Sequence, residues 1–179
     1  MSFAVLLRGR SAAAGAVAVA VALVAAAPAA PSAAHARTVR AAAKCTTAGL
    51  VVWLDTAGNA AAGSTYFTLK FTNLSGRTCT LVGYPGVSGV DLAGHQLGSA
   101  GSRNPSNVGV VTLAPGATAN AVLRITVAGN FPPSICHRVS AAGVRVFPPN
   151  QRASKIVPLP FDACSKAGPV YLSVKAVTT

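Results

Sequence analysis

The chain has 179 residues, 51% hydrophobic and only 10% charged, with 15 lysines and arginines against 3 acidic residues and a net charge of +12. That length suits one domain, large enough to bury about two thirds of its unfolded surface without a metal to hold it together. With 3 acids and 3 histidines, little is available for metal ligation or for acid–base catalysis.

The N-terminus reads as a secretory signal peptide over residues 1–36. Arg8 and Arg10 supply the basic start, Ser11 to Pro28 is an almost unbroken Ala/Val/Leu run, and Ala34-His35-Ala36 offers a small-residue cleavage site near Ala36. An uncleaved membrane anchor is the competing reading, but the run is Ala-rich and barely long enough to span a bilayer. Gly9 separates the two arginines, against a twin-arginine signal, and Lys44 precedes Cys45, against lipid attachment there. Residues 37–44 read as an Ala-rich linker and 45–179 as a single domain. Without Arg8 and Arg10 the exported chain keeps 13 basic residues against 3 acidic, a net +10. A charge of that size favours anionic polymers. Outside the cell these are wall polymers or membrane surfaces, and no nucleic acid is expected. The basic residues are scattered, so solubility alone also accounts for them. Cys45, Cys79, Cys136 and Cys164 all fall after the signal, and an even number in an exported chain reads as two disulfides with three possible pairings.

The strand signals follow in chain order. Leu50 to Leu54 is a short apolar run ended by Asp55 and a Gly/Asn/Ala/Ser stretch. Tyr66 to Asn73 alternates, with Phe67, Leu69 and Phe71 on one face and Tyr66, Thr68, Lys70 and Thr72 on the other. Ser75 to Arg77 is a tight turn before a strand at Cys79. In the "GYPG" that follows, Pro85 suits the second position of a type II turn and Gly86 the third, where φ is positive. Tyr84, extended because it precedes proline, is placed to bond its hydroxyl to backbone as tyrosines at sandwich corners do. Val87 to Leu92 is a further strand, turned by Gly94. Residues 98–107 form a polar loop. Val108 to Leu113 and the longer Thr118 to Val127 flank a Pro115-Gly116 turn. Gly143 to Phe147, Lys155 to Leu159 and Val170 to Val177 complete the set, and Pro158 confines its strand to an edge or an end. About eight short strands with Gly/Pro turns and no helical periodicity predict an all-β, immunoglobulin-like antiparallel β-sandwich; an up-and-down barrel is the alternative.

No sequence context activates a serine. Asp55, Asp91 and Asp162 each lie beside a turn, where Asp bonds to backbone, and His95 and His137 suit turns as well. No catalytic residue, metal site or cofactor is expected. Trp53, the sole tryptophan, shares a face with Val51 and is expected to pack in the core or at an edge. Lys70, Arg124, Arg145 and Lys175 sit mid-strand on the polar side of the alternation. In an immunoglobulin order Lys70 and Arg124 are on neighbouring strands of one sheet, and Arg145 and Lys175 share a face of the other. Either solvent or an anionic partner offsets their repulsion.

These residues together resemble the domain-of-unknown-function 4232 family of secreted or lipid-anchored actinobacterial proteins. The resemblance rests on Cys45, "LKFTNLSGRTCTLVGYPGV" (Leu69 to Val87), "VTLAPGATA" (Val111 to Ala119), Cys136, "VRVFPP" (Val144 to Pro149) and Cys164 before "YLSVKAV". It spans essentially the whole domain and implies an immunoglobulin-like sandwich at or outside the cell surface, with no assigned activity. Within that sandwich Cys45 and Cys79 fall at one end and Cys136 and Cys164 at the other, which favours Cys45–Cys79 and Cys136–Cys164. The expected function is a secreted, non-enzymatic protein of the cell envelope that binds an anionic component or an extracellular partner. Lys70, Arg124, Arg145 and Lys175 are the candidate anion contacts, with Tyr84 and Arg103 as candidate partner contacts. A passive envelope protein, and an exported protease inhibitor presenting Arg103 on the 98–107 loop, are the alternatives.

Overall fold

The computed structural model describes residues 42–179; the expected signal peptide and all but the end of the linker lie outside them. Among the described residues the strands are β1 (Ala43–Lys44), β2 (Leu50–Ala61), β3 (Ser64–Asn73), β4 (Cys79–Val82), β5 (Gly86–Val90) and β6 (Gln96–Leu97). There follow β7 (Ser102–Arg103), β8 (Val110–Leu113), β9 (Thr118–Thr126), β10 (Arg138–Phe147), β11 (Lys155–Cys164) and β12 (Leu172–Val174). A 3-10 turn at Ala128–Asn130 and one helical turn at Pro133–Cys136 lie between β9 and β10.

The strands form sheets of order β2-β3-β9-β12-β7, β11-β10-β5-β6 and β1-β4-β8. The pairings are antiparallel except β1 with β4 and β12 with β7. The fold is the expected antiparallel sandwich, and β2-β3-β9 repeats the A-B-E run of an immunoglobulin sheet. Period-two alternation builds its core. On β9, Ala119, Ala121, Leu123 and Ile125 are buried while Asn120, Val122 and Arg124 point outward. Leu69 and Phe71 of β3, Val144 and Val146 of β10, and Leu81 and Leu113 join them in one core. Each buried Leu, Ile, Val or Phe side chain contributes about 1.5–3 kcal/mol by burial. The disulfides are Cys45–Cys79 and Cys136–Cys164, as favoured, closing separations of 34 and 28 residues. Loops of that size stabilise by about 3–4 kcal/mol each in the chain-entropy model.

Several elements differ from expectation. Ala43 and Lys44, read as linker, pair with Cys79 and Thr80. β2 does not end at Asp55 but runs to Ala61, with an irregularity between Asp55 and Asn59. Ala62 and Gly63 close the β2–β3 hairpin with φ of 46° and 70°, the two positive values of a type I′ loop. Pairing with β3 thus carries residues of poor strand propensity. In the "GYPG" segment the positive φ belongs to Gly83, at 98°, and Gly86 already starts β5. The segment is a crossover between two sheets rather than a type II turn at Pro85-Gly86. Pro158 lies on β11, an edge strand, opposite Gly143 where the register shifts. There its missing N–H interrupts no inner ladder.

The last strand brings the main correction. β12 pairs with β9 and β7, so Lys175 follows the sheet of Lys70 and Arg124 and does not share a face with Arg145. β10 already has β11 on one side and β5 on the other, leaving β12 no place beside it.

Two buried polar residues hold the turns. Asn73, fully buried, donates from Nδ2 to the carbonyls of Arg77 (2.8 Å) and Leu113 (2.9 Å) and accepts at Oδ1 from Ser75 N–H (3.0 Å) and its hydroxyl (2.7 Å). Tyr171, also fully buried, donates to the Leu97 carbonyl at 2.7 Å, and burial pushes its hydroxyl up to about 12.

Candidate functional site

A turn and a set of hydrogen bonds between segments distant in sequence build the candidate region. Gly83 turns the chain out of β4 and sets Tyr84 against the 98–107 segment. The Tyr84 hydroxyl donates to the Ser106 carbonyl and accepts from the Ser106 N–H, both at 3.1 Å. This is the hydroxyl-to-backbone role expected of it. The 98–107 segment is therefore no free loop. Gly101 N–H donates to the Val87 carbonyl (2.8 Å), Asn104 N–H to the Val174 carbonyl (2.8 Å), and Ala176 N–H to the Ser106 hydroxyl (2.9 Å).

These bonds fix β7 as the outermost strand of the five-stranded sheet, with Arg103 on it. Its guanidinium carbon lies 5.7 Å from the Tyr84 ring centroid, a cation–π contact worth about 0.5–1 kcal/mol at an exposed position. Arg103 thus lies on a two-residue edge strand paired with β12 rather than on an unpaired loop.

Arg103 stands between two depressions. On one side is a groove of about 420 Å³, lined with Tyr84, Val108, Phe147, Pro148, Asn150 and Gln151. On the other is a cleft of about 260 Å³, lined with Arg124, Ser102, Asn104, Thr126 and Ser173. Arg124 reaches it from β9, opposite Tyr66 of β3 and Ser173 of β12. Its Nε donates to the Ser64 hydroxyl at 2.9 Å. No carboxylate lines either depression.

The other cations are placed differently. Lys70 lies 3.6 Å from Asp55 and 5.0 Å from the Trp53 ring centroid. Trp53 itself is on the edge strand β2 but on its solvent face, 42% exposed, with Nε1 donating to the Thr72 hydroxyl at 3.1 Å. It is held flat by polar neighbours instead of entering the core. Arg145, on the other sheet, donates to the Gly94 carbonyl. Lys175 is exposed at the rim of the Arg124 sheet. The sequence singled out Tyr84, Arg103, Arg124 and Lys175 separately; the fold brings Tyr84 to Arg103, while the register sets Arg124 on the face of Ser173 and Ser102 and Arg103 on the opposite face with Val174. Ser102, Thr126 and Ser173 were missed, since isolated hydroxyls carry no signal of their own.

The three aspartates are all engaged. Asp55 faces Lys70, Asp91 lies 3.2 Å from His95, and Asp162 lies 4.0 Å from Arg138. Asp91 also accepts from His95 N–H at 2.7 Å, a turn bond that holds its carboxyl below the usual range. His137 occupies the left-handed position closing the helical turn. Of eleven lysines and arginines among the described residues, only Lys70 and Arg138 have a carboxylate partner, leaving nine without one. Among those residues no three His, Cys, Asp or Glu side chains gather as a metal site would require, and no helix is long and apolar enough to cross a membrane. The two disulfides fit an oxidising, extracellular-type environment.

No curated protein and no solved structure matches the chain. A family model does, over residues 45–178, the whole of the sandwich from the first cysteine onward, and the chain belongs to that family, described as Domain of unknown function (DUF4232).

Proposed function

We propose that this is a secreted, non-enzymatic β-sandwich that binds an anionic component of the cell envelope. The observation that carries the reading is the charge imbalance in the folded domain: nine cationic side chains have no carboxylate partner, and two of them, Arg103 and Arg124, line one acid-free cleft. Guanidinium forks match carboxylate and phosphate oxygens. The hydroxyls of Ser102, Thr126 and Ser173, which line the cleft with Arg124, can donate to the same oxygens. No nucleophile–base pair accompanies them, so the arrangement supports recognition rather than reaction.

The test is co-sedimentation of the purified domain with anionic wall polymer and with anionic and neutral phospholipid vesicles. Binding is expected at about 20 mM salt and should be largely gone at about 500 mM, where the screening length falls to a few ångströms. Absence of binding to every anionic surface at the lower salt overturns the reading.

A further inference from the structure

We infer that the outer face of the five-stranded sheet is a platform for a linear acidic glycan: a chain of sugar units, one of which stacks on Trp53 while the carboxylate or phosphate of another enters the cleft at Arg124. The inference rests on the anion-binding reading above and assigns it to one face and one class of polymer.

The register lays the face out. Alternation turns Trp53 of β2, Lys70 of β3 and Asn120 of β9 outward in one row. Asp55, Thr68 and Val122 form the next outward row, and Tyr66, Arg124, Ser173 and Ser102 the one beyond it. Lys175, whose N–H donates to the Val122 carbonyl at 2.9 Å, extends the middle row. Arg103 is on the opposite face with Val174 and takes no part.

The face has an apolar component that a purely ionic ligand would leave unused, because Val51, Trp53 and Val122 are exposed on it. The indole is also pinned. Its Nε1 donates to the Thr72 hydroxyl, which shares a further bond of 2.9 Å with the Thr118 hydroxyl, and Lys70 Nζ lies 5.0 Å from its ring centroid. β2 is the outermost strand of the sheet, so no strand lies beyond to cover the ring. A fixed, exposed indole suits the C–H face of a sugar.

The charge on the face is one-sided. Asp55 is its only carboxylate side chain and is held by Lys70 at 3.6 Å, which leaves Arg124 and Lys175 without one. Arg124 commits Nε to Ser64 at 2.9 Å, so its terminal nitrogens are the ones left for a ligand. The cleft it lines with Ser102, Thr126 and Ser173 is about 260 Å³, room for a charged group more than for a whole molecule. Trp53 and Arg124 are separated by two outward rows and two strands, about 14 Å by about 10 Å. One sugar unit cannot reach both, so the occupant is a chain. A second copy of this protein laid on the same face would meet the same unpaired cations, with the one acid already engaged.

The experiment is calorimetric titration of the whole domain with five probes: the β-linked hexamer of glucuronate, its disaccharide, cellohexaose, cellohexaose phosphorylated at its primary hydroxyls, and hexaglutamate. One or both acidic hexasaccharides should saturate at one per chain, and which of them does distinguishes a carboxylate from a phosphate ligand. The disaccharide, cellohexaose and hexaglutamate should each bind at least about tenfold more weakly, since they lack span, charge and sugar faces respectively. Trp53→Ala should cost the acidic hexasaccharide about tenfold and hexaglutamate much less, whereas Arg124→Gln should cost both about tenfold. Val122→Glu, which sets a carboxylate on the exposed middle row and leaves the Arg124–Ser64 bond in place, should weaken the acidic hexasaccharides with the melting temperature unchanged. Lys155→Gln, removing an exposed cation on the other sheet, should not matter.

Equal affinity for the disaccharide, for cellohexaose or for hexaglutamate would each overturn the inference. So would an equal loss in Lys155→Gln, or self-association of the free domain that Val122→Glu abolishes. Polymer binding that persists while all five probes fail, or that Trp53→Ala and Val122→Glu leave intact, overturns it too and leaves the broader reading standing. A domain that binds neither polymer nor probe loses both.

Discussion

The two edges of the five-stranded sheet carry the same kinds of residue and use them in opposite ways. At the β2 edge, Lys70 meets Asp55 at 3.6 Å and the Trp53 ring at 5.0 Å, so its charge is answered within the chain. At the β7 edge, Arg103 braces on Tyr84 at 5.7 Å, and no acid lines the depressions on either side of it. An aromatic ring steadies a cation in both places. The presence of an acid separates a cation answered within the chain from one left without a carboxylate, which we propose for an anionic partner. Both edges are anchored: the tip of the β2–β3 hairpin through the Gly63 carbonyl, which accepts from Val127 N–H and Asn130 Nδ2, both at 2.9 Å, and the β7 segment through bonds to β5, to β12 and to Tyr84.

The largest effect that tests this contrast comes from Tyr171, whose hydroxyl holds Leu97 at the start of the tied segment. Its hydroxyl is raised from 10.0 to about 12 by burial. Below about pH 9 it is protonated in folded and unfolded chains alike, and its contribution is complete. As pH rises toward 12 the unfolded chain ionises first. Stability on the order of 2 kcal/mol should then be lost, in denaturant titrations from about pH 9 to 12. Tyr171→Phe should remove that slope; an identical slope in the variant breaks the link between burial and anchoring.

Next is Tyr84→Phe, which deletes both bonds to Ser106 and leaves the ring for Arg103. A loss of about 1–2 kcal/mol is expected, with faster hydrogen exchange confined to residues 101–106. Unchanged exchange there would mean that the other bonds suffice.

The smallest effect comes from the β2 edge. Asp55→Asn frees Lys70 and should lower stability by less than about 1 kcal/mol, while raising affinity for anionic polymer by about twofold at low salt. A fall in affinity would show that the pair orders the binding surface, and the contrast between the edges would dissolve.

Much of this was legible in the sequence, for local reasons. The alternation in Tyr66–Asn73 and Val122–Thr126 announces strands, and the placement of four cysteines within a sandwich indicates their pairing. Tyr84 before a proline announces an extended residue with its hydroxyl turned to backbone. What was hidden depends on partners distant in the chain. The outer half of β2 is strand because β3 pairs with it, not because Ala, Gly and Asn favour strands. Placing Arg103 on the sheet of Arg124 requires β12 to enter between β9 and β7, and the same entry carries Lys175 away from Arg145. Asn73 reads like an ordinary strand-end residue until the burial of all its bonds is visible.

One consequence of β7 concerns the molecule in a crowd of its own kind. An open sheet edge is a template on which another chain can assemble. This edge is only two residues long, it carries the charged Arg103, and Asn104-Pro105 ends it with a residue that has no N–H to offer. Two copies brought edge to edge here would set like charges together along a seam too short to hold them. The side chain proposed to receive an anionic guest therefore also turns away a second copy of its host.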